Sequence, residues 1–153
     1  MSVSTAYQIA ESIINLSHYR AAPVTNLKLQ KLLYYAQAWH LAINNNEPLF
    51  SEDFEAWVHG PVIPSIFRTY KSYKWSPIDD VPLTQRVADS HLQEVWRVYG
   101  TLKAFELERL THSEDPWKQA REGLAPDASS NELISKDSIY RYYHARLNGR
   151  QTA

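Results

Sequence analysis

The stretch that most constrains the fold is residues 25 to 43, T-N-L-K-L-Q-K-L-L-Y-Y-A-Q-A-W-H-L-A-I. Its apolar residues recur at the spacing of an α-helix, and its remaining faces are also largely apolar. Thr25 is a preferred N-cap residue, and the N-N-N run that follows ends the pattern because Asn side chains compete for backbone hydrogen bonds. A helix that is apolar almost all round needs neighbours on every side, so we expect it at the centre of the fold with Leu32 and Leu33 buried.

Similar patterns predict the remaining helices. Thr5 and Gln8 match the capping-box pattern before a helix at residues 6–19, and Ser135 is the expected cap of a final helix at 136–147. The other helices are predicted from Pro64 through Tyr70, from Ala88 to Tyr99, through Leu107 and Leu110, and after Asp115 as a cap, with Pro116 first and Gly123 past the end. The prediction is a mainly α, single compact helical domain over residues 1–153, with about six to seven helices and a short β-hairpin or extended segment near 54–62.

Residues 55 to 67 read E-A-W-V-H-G-P-V-I-P-S-I-F, which suits neither a long helix nor a repeating strand. We expect Trp57 to anchor a short extended segment on the central helix, and Gly60-Pro61 to reverse the chain sharply. Pro64 suits the first turn of the next helix because its ring presets φ. His59 then lies at a rigid corner, and the sequence leaves open whether it supports the fold or contacts a partner.

Net charge and composition exclude several classes of function. The 153 residues carry 16 Lys plus Arg against 17 Asp plus Glu, a net charge of −1, which argues against nucleic acid as a partner. The absence of Cys excludes disulfides and thiolate catalysis, and the four glycines are too scattered for a phosphate-binding loop. No signal peptide or membrane-spanning run is found, so we expect a cytoplasmic protein with no membrane partner and no cofactor.

The stretch L-T-H-S-E-D-P-W contains His112 and Glu114, which reproduce the H-x-E fragment of zinc deaminases. The Cys ligands of that site are missing, and no other pair of histidines has a dense metal-ligand spacing. We therefore expect neither a metal site nor a catalytic residue. His112 is most simply a packed or hydrogen-bonded neighbour of the helix cap at Asp115.

Lys28, Lys31 and Tyr35 share one stripe of the central helix and would present two cations and a phenol to an acidic partner. The alternative, which is favoured, is a solvated face whose Lys stems cover apolar surface. The same two interpretations apply to a second cationic set, Arg68, Lys71 and Lys74. The large aromatic side chains expected first of all in the core are Trp39, Trp57, Trp96 and Trp117.

Three stretches stand together in the chain: T-N-L-K-L-Q-K-L-L-Y-Y-A-Q-A-W-H-L-A, E-P-L-F-S-E-D-F-E-A-W-V-H-G-P-V-I-P-S-I-F and L-T-H-S-E-D-P-W. In this order and spacing they resemble the Panacea domain, also called the SocA-like antitoxin or GepA phage-associated family. The resemblance extends from Ile9 to about Tyr143. Its motif residues are Leu29, Leu32, Leu33, Trp57, Gly60, Pro61, Thr111, His112, Pro116 and Trp117.

The resemblance implies a mainly helical, non-enzymatic antitoxin that neutralises a toxin from a neighbouring gene by direct protein contact. The first candidates for partner binding are Lys28, Lys31, Tyr35 and His59. One relative resembles a proteolytic adaptor that delivers its toxin to a Clp-type protease, so an adaptor or phage-associated regulatory protein is the alternative. A third hypothesis is an enzyme that uses His59, His112 and Glu114.

Overall fold

The computed structural model describes residues 4–152, with side chains from 4 to 147. Over this range the chain forms helices and a small sheet. The helices are α1 (Ala6–Tyr19), α2 (Asn26–Ile43), α3 (Pro64–Thr69), α4 (Asp89–Tyr99), α5 (Ala104–His112), α6 (Asp115–Arg121) and α7 (Lys136–Thr152), and a 3-10 turn covers Lys71–Tyr73. The strands are β1 (Phe54–Trp57), β2 (Gly60–Val62) and β3 (Leu133–Ile134). The predicted mainly α fold with a hairpin near 54–62 is confirmed. In this part of the chain, no helix combines the length and apolar character needed to cross a bilayer.

Local capping signals set where several helices begin. The Thr5 hydroxyl accepts a hydrogen bond from the Gln8 backbone N–H at 3.1 Å, and the Gln8 side chain accepts one from the Thr5 N–H at 2.9 Å. Thr25 caps α2 by accepting from the Lys28 N–H at 3.2 Å. Ser135 receives the Ser138 N–H at 3.1 Å, so the predicted cap of α7 is also confirmed, although α7 continues past Leu147 to Thr152.

The central helix α2 packs against α1, α4, α5, α7 and β2. Leu32 and Leu33 are buried, as predicted, and so is Leu29. Because neighbours surround α2, its apolar residues need not be confined to a single stripe. Burial accordingly extends round the helix to Tyr34, Ala36, Ala38 and Leu41.

The three strands form an antiparallel sheet in the order β2-β1-β3. Trp57 lies opposite Gly60, so Val58 and His59 form the hairpin turn. The predicted reversal at Gly60-Pro61 is therefore wrong by two positions, since both residues belong to β2. Pro61 is tolerated there because β2 is an edge strand, where a missing backbone N–H costs no ladder hydrogen bond.

Strand β1 buries alternate residues, and this alternation corrects the role expected for Trp57. Phe54 and Ala56 face the core, whereas Glu55 and Trp57 are only half-buried. The Trp57 indole N–H donates to the Glu55 carboxylate at 2.8 Å, and its ring meets the edge of Phe67 at 5.2 Å. Phe54 and Ala56, not Trp57, hold the strand against the core. Of the other tryptophans expected in the core, Trp96 and Trp117 are buried and Trp39 is half-buried.

The start of α6 differs from the sequence prediction. Its N-cap is Glu114, and Asp115 occupies the first turn with its side chain 58% exposed. The Glu114 carboxyl turns into the core, as described below, so the start of α6 has no side-chain cap. Pro116 is second in the helix, one position later than predicted, and Gly123 follows the end of the helix as predicted, with a φ of +75°.

Candidate functional site

The three sequence stretches meet at a buried polar centre, formed by Lys31 and Tyr35 of α2, Gly60 and Pro61 of β2, Thr111 of α5, and Glu114. Lys31 is only 1% exposed. Its Nζ donates to the Pro61 carbonyl oxygen at 3.2 Å. Burial lowers the pKa of Lys31 to about 7, and the nearby carboxylate of Glu108 offsets part of this shift. The Lys31 side chain thus joins the central helix to the hairpin.

Gly60 makes this approach possible. A Cβ at Gly60 would lie 2.6 Å from the Lys31 Cε and 2.9 Å from the Thr111 Oγ1, closer than non-bonded atoms allow. The Gly60 φ of +107° is also one that side-chain-bearing residues rarely adopt. Gly60 therefore serves both backbone conformation and close approach, even though it is not in the turn.

Glu114 lies between two tyrosines. Tyr35 is one turn after Lys31 on α2, and Tyr143 is on α7. The Tyr35 hydroxyl donates to one carboxylate oxygen at 3.2 Å, and the Tyr143 hydroxyl donates to the other. Burial raises the pKa of Glu114 to about 6, while the two hydrogen bonds oppose the shift. Tyr35 also stacks on Tyr99 with ring centroids 4.0 Å apart. The two hydrogen bonds are buried, and they tie α2 and α7 to the residue that precedes α6.

The residues of the enzyme hypothesis have separate partners. His59 pairs with Glu108 at 3.0 Å on the surface, whereas His112 stacks on Trp117 with ring centroids 3.9 Å apart. Burial lowers the pKa of His112. Glu114 is engaged by the tyrosines. Within the described residues, no three or more His, Asp or Glu side chains are arranged to hold a metal ion.

The stripe of α2 singled out from the sequence is not an exposed face. Lys31 and Tyr35 are buried, so neither the partner-facing nor the solvated interpretation of them is right in this conformation. Periodicity misplaced them because α5, α7 and β2 also cover this side of the helix. Lys28 is half-buried, and its Nζ donates to the Gly100 carbonyl at 2.6 Å. Of the four partner-binding candidates only His59 is exposed, and a binding role for Lys28 and His59 stays a prediction.

The described surface contains a groove beside the hairpin, which we call the α3 groove. Its volume is about 760 Å³. The apolar lining comes from the start of α2, the hairpin, α3 and the segment after the 3-10 turn: Leu27, Trp57, Val62, Phe67 and Trp75. His59 and three cationic side chains also line it: Arg68, Lys71 and Lys74. The side chain of Trp75 is 82% exposed. Pockets of this size and apolar character are usual for ligand or peptide binding.

Sequence reasoning named the cations of this groove but missed Trp75 and Phe67. The sequence does contain one indication of an exposed Trp75. This residue directly precedes a connection rich in Pro and Asp, which is typical of the protein surface. The segment that carries Trp75 is anchored on its C-terminal side. Ile78 beyond it is buried and its N–H donates to the Val24 carbonyl at 2.8 Å. Lys74 before it has φ +54° and ψ −118°, a strained conformation of the kind that clusters at functional sites.

Residues 29–118 match the family model described as antitoxin SocA-like, Panacea domain. This match covers more than half of the 153 residues. The chain belongs to the SocA-like Panacea family. Antitoxin SocA of Caulobacter vibrioides (strain NA1000 / CB15N) is 40% identical over 67 residues, which are 41% of this chain and 35% of that protein. The match thus spans about a third of the relative's length. No solved structure matches the chain significantly.

Proposed function

We propose that this protein is an antitoxin that neutralises a cognate toxin by direct protein–protein binding and performs no chemistry itself. Membership of the SocA-like Panacea family carries this proposal. The similar protein of Caulobacter vibrioides is likewise named an antitoxin. The candidate site agrees with a binding role because its polar centre is closed and bonded internally, whereas its open surface is aromatic and cationic.

The α3 groove supports recognition of a protein partner. Exposed Trp and Arg side chains supply much of the binding energy at protein interfaces, and Trp75 and Arg68 stand together here. His59, a sequence-derived candidate, lines the same groove, and Lys28 follows its lining residue Leu27 in the chain. The proposed toxin-binding face therefore centres on the hairpin, α3 and the start of α2.

The test is co-expression of the chain with the product of its adjacent gene, each under a separate inducible promoter. We expect the adjacent product alone to stop growth, and the chain to restore growth and co-purify with it as one complex. Growth that stays arrested, with no co-purification, would refute the antitoxin proposal. Repeating the assay in a host without Clp-type proteases separates the two mechanisms: rescue by direct binding persists there, whereas an adaptor loses it.

A further inference from the structure

The apolar floor of the α3 groove, formed by Trp57, Phe67 and Trp75, is only partly covered by the rest of the protein. Trp57 and Phe67 meet edge to face, with ring planes at 64°, and leave half-buried aromatic surface open to solvent. Trp75 extends the same surface and is packed into none of the described core. Aromatic side chains bury about 150–250 Å² each when covered, so a partner that covers these rings gains substantial contact energy. A partner that binds this surface should therefore contribute large apolar or aromatic side chains.

The rim of the groove carries uncompensated positive charge. Arg68, Lys71 and Lys74 are exposed, and none of them forms an ion pair with a residue whose side chain the structure describes. Two carboxylates on neighbouring elements have other partners, since Glu55 accepts from the Trp57 indole and Glu108 pairs with His59. Elsewhere on the surface, cations do have acidic partners, such as Arg97 with Glu94 at 2.7 Å and Arg141 with Asp137 at 2.9 Å. The rim is thus complementary to carboxylates.

From this combination we propose that the α3 groove docks an acidic, amphipathic segment of the toxin, in which Asp or Glu residues alternate with Leu or aromatic side chains. The apolar side chains would cover Trp57, Phe67 and Trp75 while carboxylates meet the rim, with Arg68 able to bind one in bidentate fashion. A nucleic acid also carries negative charge and stacks on aromatic rings. It fits less well because the chain has a net charge of −1 and three rim cations lie in one short segment only.

That the segment belongs to a toxin rests on the proposed function, and the first experiment tests this link. Binding of the purified adjacent-gene product is measured by calorimetry for Trp75→Ala and for the double reversal Arg68→Glu with Lys71→Glu. Each is expected to weaken binding at least about 30-fold, the loss typical of a hot spot. The matched controls lie outside the groove: Leu83→Ala, whose side chain is 100% exposed, and the double reversal Arg97→Glu with Arg141→Glu.

Wild-type binding combined with unchanged affinity of both groove variants would overturn the groove inference and leave the antitoxin proposal standing. Loss of affinity in the controls to the same extent would likewise remove the groove as the specific site. Circular dichroism and thermal unfolding of each variant show whether the fold is retained; if a variant is unfolded, Trp75→Phe and the single change Lys71→Glu replace it.

The second experiment needs no toxin. The probe is a synthetic peptide of alternating Glu and Leu with one central Trp, added to the ¹⁵N-labelled chain, and the indole N–H signals of its five tryptophans are followed. We expect the signals of Trp57 and Trp75, assigned by Trp→Phe variants, to shift, while those of buried Trp96 and Trp117 do not. The same peptide with Lys in place of Glu should leave all signals unchanged.

Several results of this titration would overturn the inference. Equal shifts with the Lys peptide would show an unselective apolar surface, and larger shifts with oligo(dT) would show a nucleic-acid site. Shifts of Trp57 and Trp75 on concentrating the chain alone would show that a second copy occupies the groove. A different result separates the two proposals. If the acidic peptide binds but no complex forms in the co-expression assay, the proposal of a toxin partner is refuted, whereas the preference of the groove for acidic segments is retained.

Discussion

Lys31 places an amine in the interior, where its protonation state is coupled to folding. Its pKa falls from the ordinary value of 10.5 to about 7 because burial disfavours the charged form. Between these two values the unfolded chain binds a proton that the folded chain lacks, so folding becomes more favourable as pH rises. Well below pH 7 both states carry the proton, so the stabilisation gained at higher pH is absent and Lys31 no longer makes stability depend on pH.

The Lys31→Met variant tests this coupling. Urea unfolding of wild type and variant is measured at several pH values between about 7 and 9, a range inside the shifted window. The free energy of unfolding of the wild type should rise relative to that of Lys31→Met as pH increases, by roughly 1 kcal/mol per pH unit. Subtraction cancels the titrating groups that do not interact with Lys31, and loss of the bond to Pro61 adds only an offset. Parallel pH profiles would contradict the shifted pKa.

The positions of Lys31 and Tyr35 could not be obtained from the sequence alone. Spacing correctly places both on one stripe of α2, but whether that stripe meets water depends on what packs against it. Here α5, α7 and β2 cover it, and the polar atoms find partners contributed by distant segments: the Pro61 carbonyl and the Glu114 carboxylate. The burial of Leu32 and Leu33 was predictable, because an aliphatic side chain has no polar atom that a distant segment or water could bind, and it is stabilised by burial alone.

At the scale of elements, the hairpin depends on one residue without a side chain. Gly60 combines a positive φ with close contact to Lys31 and Thr111, so it fixes both the path of β2 and its distance from α2. Local signals predicted the strand and the helix start at Pro64. They misplaced the turn because Gly-Pro is a frequent turn pair, whereas the register pairs Pro61 with Ala56 across the sheet.

Gly60→Ala should destabilise the fold more than Gly123→Ala. Both glycines have a positive φ, of +107° and +75°, but no atom lies within 4 Å of a Cβ built at Gly123. The extra cost at Gly60 is that of overpacking, about 1–3 kcal/mol. Thermal and urea unfolding of the two variants measure the difference. Equal destabilisation would mean that backbone conformation alone, without the close approach, explains the glycine.

The start of α6 shows the limit of capping rules. Asp115 before Pro116 matches a common cap pattern, yet the cap position is Glu114, one residue earlier. Glu114 uses its carboxylate on Tyr35 and Tyr143 instead of on the helix N–H groups. A tertiary contact has therefore overridden a local one, whereas at Thr5 no such competitor exists and the predicted box forms.

At the scale of the whole molecule, stability depends on α2. Leu33→Ala should lower the free energy of unfolding by about 2 to 5 kcal/mol, because Leu33 is fully buried and its removal leaves a cavity. The control is Ile43→Ala on the same helix, whose side chain is 56% exposed and should cost far less. The urea midpoint and slope of each variant are compared with wild type. An unchanged midpoint for Leu33→Ala would contradict the central position of α2 in the core.

The helical fold followed from periodicity and caps, but the α3 groove did not. Its lining comes from four separate segments, and no local pattern shows that Leu27, Trp57 and Trp75 meet. Local composition even suggested a core position for Trp57, because large aromatic residues are usually buried. Only the assembled hairpin and α3 show that the side chain faces outward.

The confinement of Arg68, Lys71, Lys74 and Trp75 to one exposed segment has an evolutionary consequence. Substitutions at exposed positions usually change stability by less than about 0.5 kcal/mol. Under the proposed function, these side chains can therefore be exchanged one at a time, which would change the partner sequence that is recognised while the fold stays stable. The buried core around α2 and the exposed cations of the groove lie in different parts of one short chain.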